Sequence, residues 1–276
     1  MTGFVAYCRL RQRLAGSLRL LAAPLRWRWA DRLADRLAFM PSVYGPRLLV
    51  TPGDRTFELC LGGYGPFVAA AIGAQDRPFV FLDLGANLGL FSLVALLNPH
   101  CRRVIAIEPS PEIFSNLEAN IRHSGTSQVT ALRGAIFEGS ASQVAMSYEP
   151  AHSGMSRVLP TGSAGIEVPV ITAPMLDDAL RRDADRIVVK IDIEGSEGDA
   201  IMVLRKTKAF ARLDEIIVEV SERTLGAGGR GRLLQMLTDD GFEEIARSGG
   251  PAHYDARYRR NQGSARQAAQ EMSRPG

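Results

Sequence analysis

An apolar run that ends in a glycine-bearing turn is the feature that most constrains the fold of this chain. Residues 79–82 read Phe-Val-Phe-Leu and continue directly into Asp83-Leu-Gly-Ala-Asn-Leu-Gly89, after which apolar residues recur at helical spacing. A buried strand that turns sharply into a helix is the building unit of open parallel sheets, which bind ligands at the carboxyl ends of their strands. The segment therefore predicts both a fold class and the place of a ligand site.

Four further apolar runs of strand length lie between segments with helical patterns. They span residues 104–107, 129–132, 187–191 and 216–220. Short continuous runs of this kind are typical of parallel strands that are covered on both faces. Their alternation with helices predicts a Rossmann-like α/β fold, with a mostly parallel, doubly wound sheet and an antiparallel C-terminal edge.

A different pattern interrupts this alternation. Residues 142–149 alternate between apolar and polar side chains, which predicts a half-exposed antiparallel strand that pairs with residues 166–172. The segment between them, Glu149–Gly165, is rich in Pro, Gly and Ser and is long for a loop, and such loops are often functional. We predict that it contributes to substrate specificity.

The positive charge of the chain is concentrated near its start. Residues 1–40 hold eight arginines and two aspartates, a net +6, and the whole chain is at +3, which leaves −3 for the rest. The main body is therefore not a basic surface, and we predict no nucleic-acid partner. A stripe of leucines predicts a basic helical extension over residues 1–45. This helix either packs on the main domain, the interpretation we favour, or lies on an anionic membrane surface.

The cysteines indicate the compartment. Cys8, Cys60 and Cys101 lie far apart without Cys-x-x-Cys spacing, which argues against a disulfide framework and against a structural zinc site. A reducing compartment is the simplest interpretation, so we predict a cytoplasmic protein, with peripheral membrane contact through residues 1–40 as the alternative. Residues 251–276 are polar and are predicted to form a disordered tail.

The spacing of the glycines bears on which cofactor the turn binds. A dinucleotide site has the pattern Gly-x-Gly-x-x-Gly, in which a pyrophosphate rests on the helix N-terminus. Here Asn87 stands in place of the second glycine, and the carboxylate of Asp83 would repel a pyrophosphate. S-adenosylmethionine has no phosphate, and its sulfonium and amino-acid head group suit a carboxylate, either directly or through water. We predict S-adenosylmethionine as the cofactor, bound by Asp83, Gly85, Ala86, Asn87 and Gly89.

Glu108 supports an adenosine ligand. It ends the second apolar run, in Val104-Ile-Ala-Ile-Glu108. An acidic residue roughly 20 residues beyond the glycine turn accepts hydrogen bonds from ribose hydroxyls. Sites for NAD and for S-adenosylmethionine share that role, so Glu108 does not choose between the two cofactors.

The fourth apolar run continues into alternating charges. Lys190, Asp192 and Glu194 alternate with isoleucines and would share one strand face. Three charges on a buried strand are costly unless they are paired or functional. Our hypothesis is that Asp192 or Glu194 is the general base or holds the substrate, while Lys190 tunes it. The alternative is a salt-bridge network that organises the following helix.

Two other sets of residues bear on the chemistry. His152 lies in the Glu149–Gly165 loop and is a second candidate base, although a single loop histidine is more often simply exposed to solvent. Asp192, Glu219 and Asp177 could in principle hold a divalent cation. The sequence shows no dense group of oxygen ligands, and we predict no metal site.

The motifs together resemble the FkbM-type methyltransferases. The resemblance rests on Leu82–Ser92, on Glu108-Pro109 and on Lys190-Ile-Asp-Ile-Glu-Gly-Ser-Glu197. Shorter matches lie at Gly62–Pro66, Ser153–Ser156, Leu176-Asp177 and Glu219. The resemblance implies a class I methyltransferase fold over about residues 46–250, S-adenosylmethionine as donor, and usually O-methylation of a hydroxyl on a sugar, glycan or natural product.

The chain departs from the wider class in one place. Many class I enzymes carry an acidic residue after the third strand, near the adenine amine, whereas this chain reads Arg133-Gly134-Ala135. Backbone groups near Gly134 and Ala135 are predicted to hold the adenine instead. Two other functions stay open at this point: an NAD-type oxidoreductase with a degenerate glycine turn, and a catalytically silent, cofactor-binding interaction protein.

Overall fold

The computed structural model describes residues 39–49, 60, 62, 64–148, 153–160, 162–181 and 185–261. Nearly all of the predicted basic extension, residues 1–45, therefore lies outside the described residues, as do His152 and residues 262–276. None of the helices in the described part of the chain is both long and apolar enough to cross a bilayer.

A seven-stranded sheet forms the centre of the molecule. From one edge to the other it contains β5 (Val129–Arg133), β4 (Cys101–Glu108), β3 (Phe79–Leu84), β9 (Arg186–Ile191), β10 (Leu213–Ser221), β12 (His253–Arg260) and β11 (Phe242–Gly249). The first five strands are parallel, and β12 and β11 are antiparallel to their neighbours. The Rossmann-like fold with an antiparallel C-terminal edge is thus confirmed, and each of the five apolar runs lies in a parallel strand.

Helices cover both faces of this sheet. They are α1 (Pro66–Gly73), α2 (Leu90–Ala95), α3 (Pro111–Ser124), α4 (Ala173–Leu180), α5 (Glu197–Arg205), α6 (Glu222–Leu225) and α7 (Gly229–Asp239). Strand β3 shows the double coverage, because Phe79 and Phe81 pack into one apolar layer, whereas Val80, Leu82 and Leu84 pack into the other. All six residues of β3 are buried, which explains why its sequence is apolar almost throughout.

Two smaller sheets flank the main one. β1 (Met40–Pro41) pairs with β2 (Arg47–Leu48), and β8 (Ile166–Ile171) lies between β6 (Ala135–Ile136) and β7 (Gln143–Met146). The antiparallel pairing of β7 with β8 confirms the prediction from the alternating pattern. The chain between these strands folds back on β7, where the Ser147 amide donates to the Arg157 carbonyl at 2.9 Å.

The prediction of a disordered tail from residue 251 was wrong for residues 253–260. These residues form β12, which pairs with both β10 and β11 and so lies inside the sheet. Its apolar side chains, Tyr254, Ala256 and Tyr258, are buried and alternate with polar ones. The charged members find partners, as in the 2.8 Å contact between Arg257 Nε and Glu215 Oε1. High polarity therefore concealed a period-two strand pattern.

Candidate cofactor and acceptor site

A cavity of about 370 Å³ opens at the carboxyl ends of the parallel strands. It lies where the order of the sheet reverses, between β3 and β9, which is the usual ligand position in open α/β sheets. The loops after β3, β4 and β5 form one half, which we call the donor half. The residues after β9, at the end of β10 and at the start of β12 form the other, which we call the acceptor half.

The glycine turn after β3 is shaped by close packing. Gly85 has a φ of +77°, and a Cβ on it would lie 1.9 Å from the backbone oxygen of Asp192. The amides of Gly85 and Ala86 both donate to the Ile107 carbonyl, at 3.0 and 2.8 Å. Only glycine therefore fits at position 85, between the donor half and the loop after β9.

Asn87 takes a glycine-like backbone conformation while keeping a side chain. Its φ is +49°, a left-handed region that asparagine tolerates better than most residues. The Asn87 amide donates to Glu108 Oε2 at 3.0 Å, and its side-chain oxygen accepts from the Leu88 amide at 2.7 Å. Asn87 thus ties the turn to the next strand, and it lies on the cavity wall.

Glu108 faces the cavity from the end of β4. Its other oxygen, Oε1, accepts from the Ser110 amide at 2.9 Å, which fixes the carboxylate. Burial raises the pKa of Glu108 to about 7. Gly134 and Ala135 also lie on the wall of the donor half, so the structure brings together most of the residues that we predict to hold the cofactor.

Two of the predicted cofactor residues do not reach the cavity. Gly89 is the left-handed N-cap of α2, and a Cβ on it would lie 2.5 Å from Leu117 of α3. Gly89 therefore allows close packing of α2 and α3. Asp83 is completely buried, and its carboxylate accepts from the Ser92 hydroxyl at 2.7 Å. The structure therefore gives Asp83 no direct contact with a ligand head group.

Lys190 lies on the cavity wall and connects it to the buried Asp83. Its ammonium lies 3.2 Å from Asp83 Oδ1 and 3.4 Å from Asp192 Oδ2, and it donates to the Gly85 carbonyl at 3.0 Å. Burial alone would lower the pKa of this ammonium, but the attraction of Asp83 and Asp192 outweighs burial and raises the pKa above its usual value. Lys190 thus joins the glycine turn to the acceptor half.

The carboxylates of the acceptor half come from turns as well as strands. β9 ends at Ile191, so Asp192 and Glu194 project from the turn that follows rather than from a strand face, and Glu194 has a φ of +50°. The buried hydroxyl of Tyr64 donates to Asp192 Oδ2. Tyr64 belongs to Gly62–Pro66, one of the segments that resemble the FkbM-type methyltransferases. Nothing in that segment indicated a contact with Asp192.

The fold assembles a denser group of carboxylates than the sequence indicated. Oxygens of Asp192, Glu194 and Glu219 lie within 4.8 Å of one another. Burial, followed by repulsion from neighbouring carboxylates, raises the pKa of Glu194 to about 7 and that of Glu219 to about 9. Asp177, the third cation ligand considered from the sequence, does not belong to this group of carboxylates. Its carboxylate accepts hydrogen bonds from the amides of Lys208 and Ala209.

Further cavity residues were not predicted from the sequence. His253 lies at the start of β12, and Arg157 and Arg223 line the cavity from the 153–160 segment and from α6. His253 was missed because its segment was expected to be disordered. The described part of the Glu149–Gly165 loop does reach the cavity, through residues 154–158.

The fold and this site define a nucleoside-binding α/β protein of the Rossmann type, with a glycine turn and an acidic residue at the next strand end. The model of the methyltransferase FkbM domain matches residues 83–245, and the chain belongs to this family. It is therefore a methyltransferase with S-adenosylmethionine as its cofactor, which decides against the NAD-type oxidoreductase.

Three individual proteins show the range of similarity. The chain is 28% identical over 204 residues to the AMB antimetabolite synthetase AmbE of Pseudomonas aeruginosa, a match that covers 59% of this chain and only 9% of AmbE. Among solved structures, the precorrin-6y C5,15-methyltransferase of Geobacter metallireducens GS-15 has a TM-score of 0.43 and 16% identity, covering 71% of this chain and 87% of that one. Aeropyrum pernix fibrillarin with bound S-adenosyl-L-methionine has a TM-score of 0.41 and 14% identity, covering 70% and 73%.

Proposed function

We propose that this chain transfers the methyl group of S-adenosylmethionine to a hydroxyl oxygen of a sugar, glycan or natural product. The observation that carries the proposal is the different chemistry of the two halves of one cavity. The donor half offers backbone groups and the carboxylate of Glu108, whereas the acceptor half offers a group of carboxylates, Asp192, Glu194 and Glu219. Carboxylates are strong acceptors for hydroxyl donors, which suits an acceptor with several hydroxyls.

Each residue has a role in this proposal. Glu108 binds the ribose, the backbone near Gly134 and Ala135 holds the adenine, and the 85–87 turn lies along the rest of the cofactor. When bound, S-adenosylmethionine supplies an electrophilic methyl group on a cationic sulfur. Asp192 holds the acceptor hydroxyl, and Lys190 fixes the orientation of Asp192. Holding the two reactants in line, about 3–3.5 Å apart, supplies much of the rate enhancement.

The proposal is tested with tritiated S-adenosylmethionine offered to methyl glycosides of common hexoses and to phenolic natural products. We expect label in a product that survives mild alkali, as a methyl ether does and a methyl ester does not. Label recovered only on nitrogen, carbon or a carboxylate would contradict methylation of a hydroxyl oxygen while leaving the methyltransferase activity intact.

Substitution of Asp192 by asparagine tests the acceptor half. We expect methyl transfer to fall about 10- to 100-fold, because one hydrogen bond to a charged group is worth roughly 1.5–3 kcal/mol. Affinity for S-adenosylhomocysteine, measured by calorimetry, should change little. Asp178→Asn is the matched control, since Asp178 is 69% exposed and, among the described residues, forms an ion pair with Arg181 three positions further along the chain. Full activity in folded Asp192→Asn protein would remove Asp192 from the mechanism.

Substitution of Glu108 by glutamine tests the donor half. We expect the affinity for S-adenosylhomocysteine to fall about 10- to 100-fold, because the ribose loses a charged hydrogen-bond acceptor. The pKa of Glu108 is about 7, so cofactor affinity of the wild type should rise as the pH increases through 7 and level off above it. That dependence should disappear in Glu108→Gln. The control is Glu118→Gln, on the exposed side of α3; equal losses in both variants would contradict the assignment.

A further inference from the structure

A histidine and a glutamate form a pair in the acceptor half. His253 is the first residue of β12, and its register partner on β10 is Ser221, two residues beyond Glu219. His253 Nε2 lies 2.8 Å from Glu219 Oε1. Both residues line the cavity. His253 lies outside residues 83–245, the part that matches the family model.

We infer that His253 is the general base that takes the proton from the acceptor hydroxyl, and that Glu219 positions its ring. The inference rests on the proposed O-methyl transfer. In the step, a lone pair of the hydroxyl oxygen forms the bond to the methyl carbon, and the carbon–sulfur bond breaks with its electrons moving to sulfur. The hydroxyl proton moves to His253 Nδ1 and then to water.

The exposure of the two side chains fits these roles. Glu219 is 9% exposed and held in β10, so it can fix the direction of the ring. His253 is 65% exposed, so a proton taken from the acceptor can pass on to bulk water. Nε2 contacts Glu219, whereas Nδ1 makes no hydrogen bond to a described residue. A base whose one nitrogen is oriented by a carboxylate, leaving the other for the substrate, is a recurrent catalytic arrangement.

The order of the strands places the histidine–glutamate pair on the opposite side of β9 from the donor half. The glycine turn and Glu108 follow β3 and β4, whereas Glu219 and His253 belong to β10 and β12, beyond β9. Asp192 and Glu194, after β9, lie between the two groups. An acceptor hydroxyl held at Asp192 would therefore lie between the donor half and His253.

Several charges surround the pair. Burial, followed by repulsion from the carboxylates of Asp192, Glu194, Asp255 and Glu197, raises the pKa of Glu219 to about 9. Lys190, Arg157 and Arg223 are the cations on the surrounding walls. Because the pKa of Glu219 is about 9, Glu219 is protonated near neutral pH. Once Glu219 is ionised, it accepts a hydrogen bond from Nε2–H of His253, and Nδ1 is then the nitrogen that can act as a base. Methyl transfer should accordingly increase with pH, with a midpoint at or below 9, because a bound sulfonium favours the ionised form.

His253→Gln is the test variant, because glutamine keeps a hydrogen bond to Glu219 and lacks a basic nitrogen. With the hydroxyl acceptor that the wild type methylates, kcat should fall about 10²- to 10⁴-fold, the usual contribution of a general base. The increase of kcat at alkaline pH should be lost, and the affinity for S-adenosylhomocysteine should be kept.

His100→Gln is the matched control, since His100 lies at the opposite end of the sheet, where its carbonyl accepts from the Phe79 amide. Glu219→Gln should lower kcat less and shift the alkaline limb.

The outcomes separate this inference from the proposed function. Absence of any O-methylated product with wild-type protein contradicts the proposed function, and the inference with it. If the wild type transfers methyl groups and His253→Gln has the same rate and pH profile, the inference alone is contradicted. It is also contradicted if the alkaline limb is lost in Glu194→Gln but kept in His253→Gln.

A second measurement needs no acceptor. Nitrogen-15 shifts of His253 should show Nε2 protonated and Nδ1 unprotonated at high pH, and the reverse tautomer would overturn the inference.

Discussion

Replacing Lys190 with methionine should destabilise the folded protein by about 3–5 kcal/mol, as removal of one partner from a buried ion pair usually does. Lys190 is 4% exposed and is the cation that lies between Asp83 and Asp192. Without it, Asp83 is a carboxylate with no accessible surface and no counter-ion. Urea denaturation measures the loss as a change in the free energy of unfolding.

The pH dependence of this variant gives a sharper test. A buried carboxyl that has lost its cation binds a proton more tightly in the folded protein than in the unfolded chain. The stability of the variant therefore falls as the pH rises. The loss of stability in Lys190→Met should therefore become smaller as the pH falls from 8 to 5, and adding Asp83→Asn should recover part of it at pH 8.

Lys206→Met is the matched control, because Lys206 forms a 2.5 Å ion pair with Glu138 and its side chain is 56% exposed. Exposed pairs contribute about 0–1 kcal/mol, and equal losses in the two variants would contradict the role of burial.

Replacing Gly85 with alanine should abolish measurable cofactor binding and lower stability by roughly 2–5 kcal/mol, the sum of left-handed backbone strain and overpacking. The new Cβ would lie 1.9 Å from the backbone oxygen of Asp192, so the glycine turn and the loop after β9 must separate. Calorimetry with S-adenosylhomocysteine measures the binding, and denaturation measures the stability.

Gly125→Ala isolates the contribution of the backbone strain. Gly125, the C-cap of α3, has a φ of +69°, close to that of Gly85, yet a Cβ on it would meet nothing within 4 Å. We expect this variant to lose about 1–2 kcal/mol, the ordinary cost of a left-handed residue with a Cβ, and to bind the cofactor normally. Normal binding by Gly85→Ala as well would show that the approach of Asp192 does not shape the site.

The parts of the fold that were predicted are those in which the pattern is local. Each apolar run of β3, β4 and β9 carries its own burial signal, because a strand covered on both faces needs no partner to be recognised. The glycine turn was predicted for the same reason, because the strand, the glycines and the helical pattern follow one another within residues 79–96.

The parts that were missed depend on pairing across the sheet. The complete burial of Asp83 is one of them: Asp83 lies opposite Lys190 in the register of β3 and β9, and the two charges compensate each other. His253 reaches the cavity only because β12 inserts between β10 and β11. The register of β3 and β9 leaves no periodic signal in the sequence, and the period-two pattern of β12 was concealed by its many polar residues.

The position of β12 also determines when the molecule can be completed during synthesis. Donor-half residues up to Ala135 leave the ribosome early, and domains generally begin to fold from the N-terminal side. β10 and β11 cannot be joined until residues 253–260 emerge, since β12 pairs with both. A nascent chain that stops before this point has two unpaired strand edges, which favour aggregation, and has a binding cleft that lacks His253, its proton acceptor.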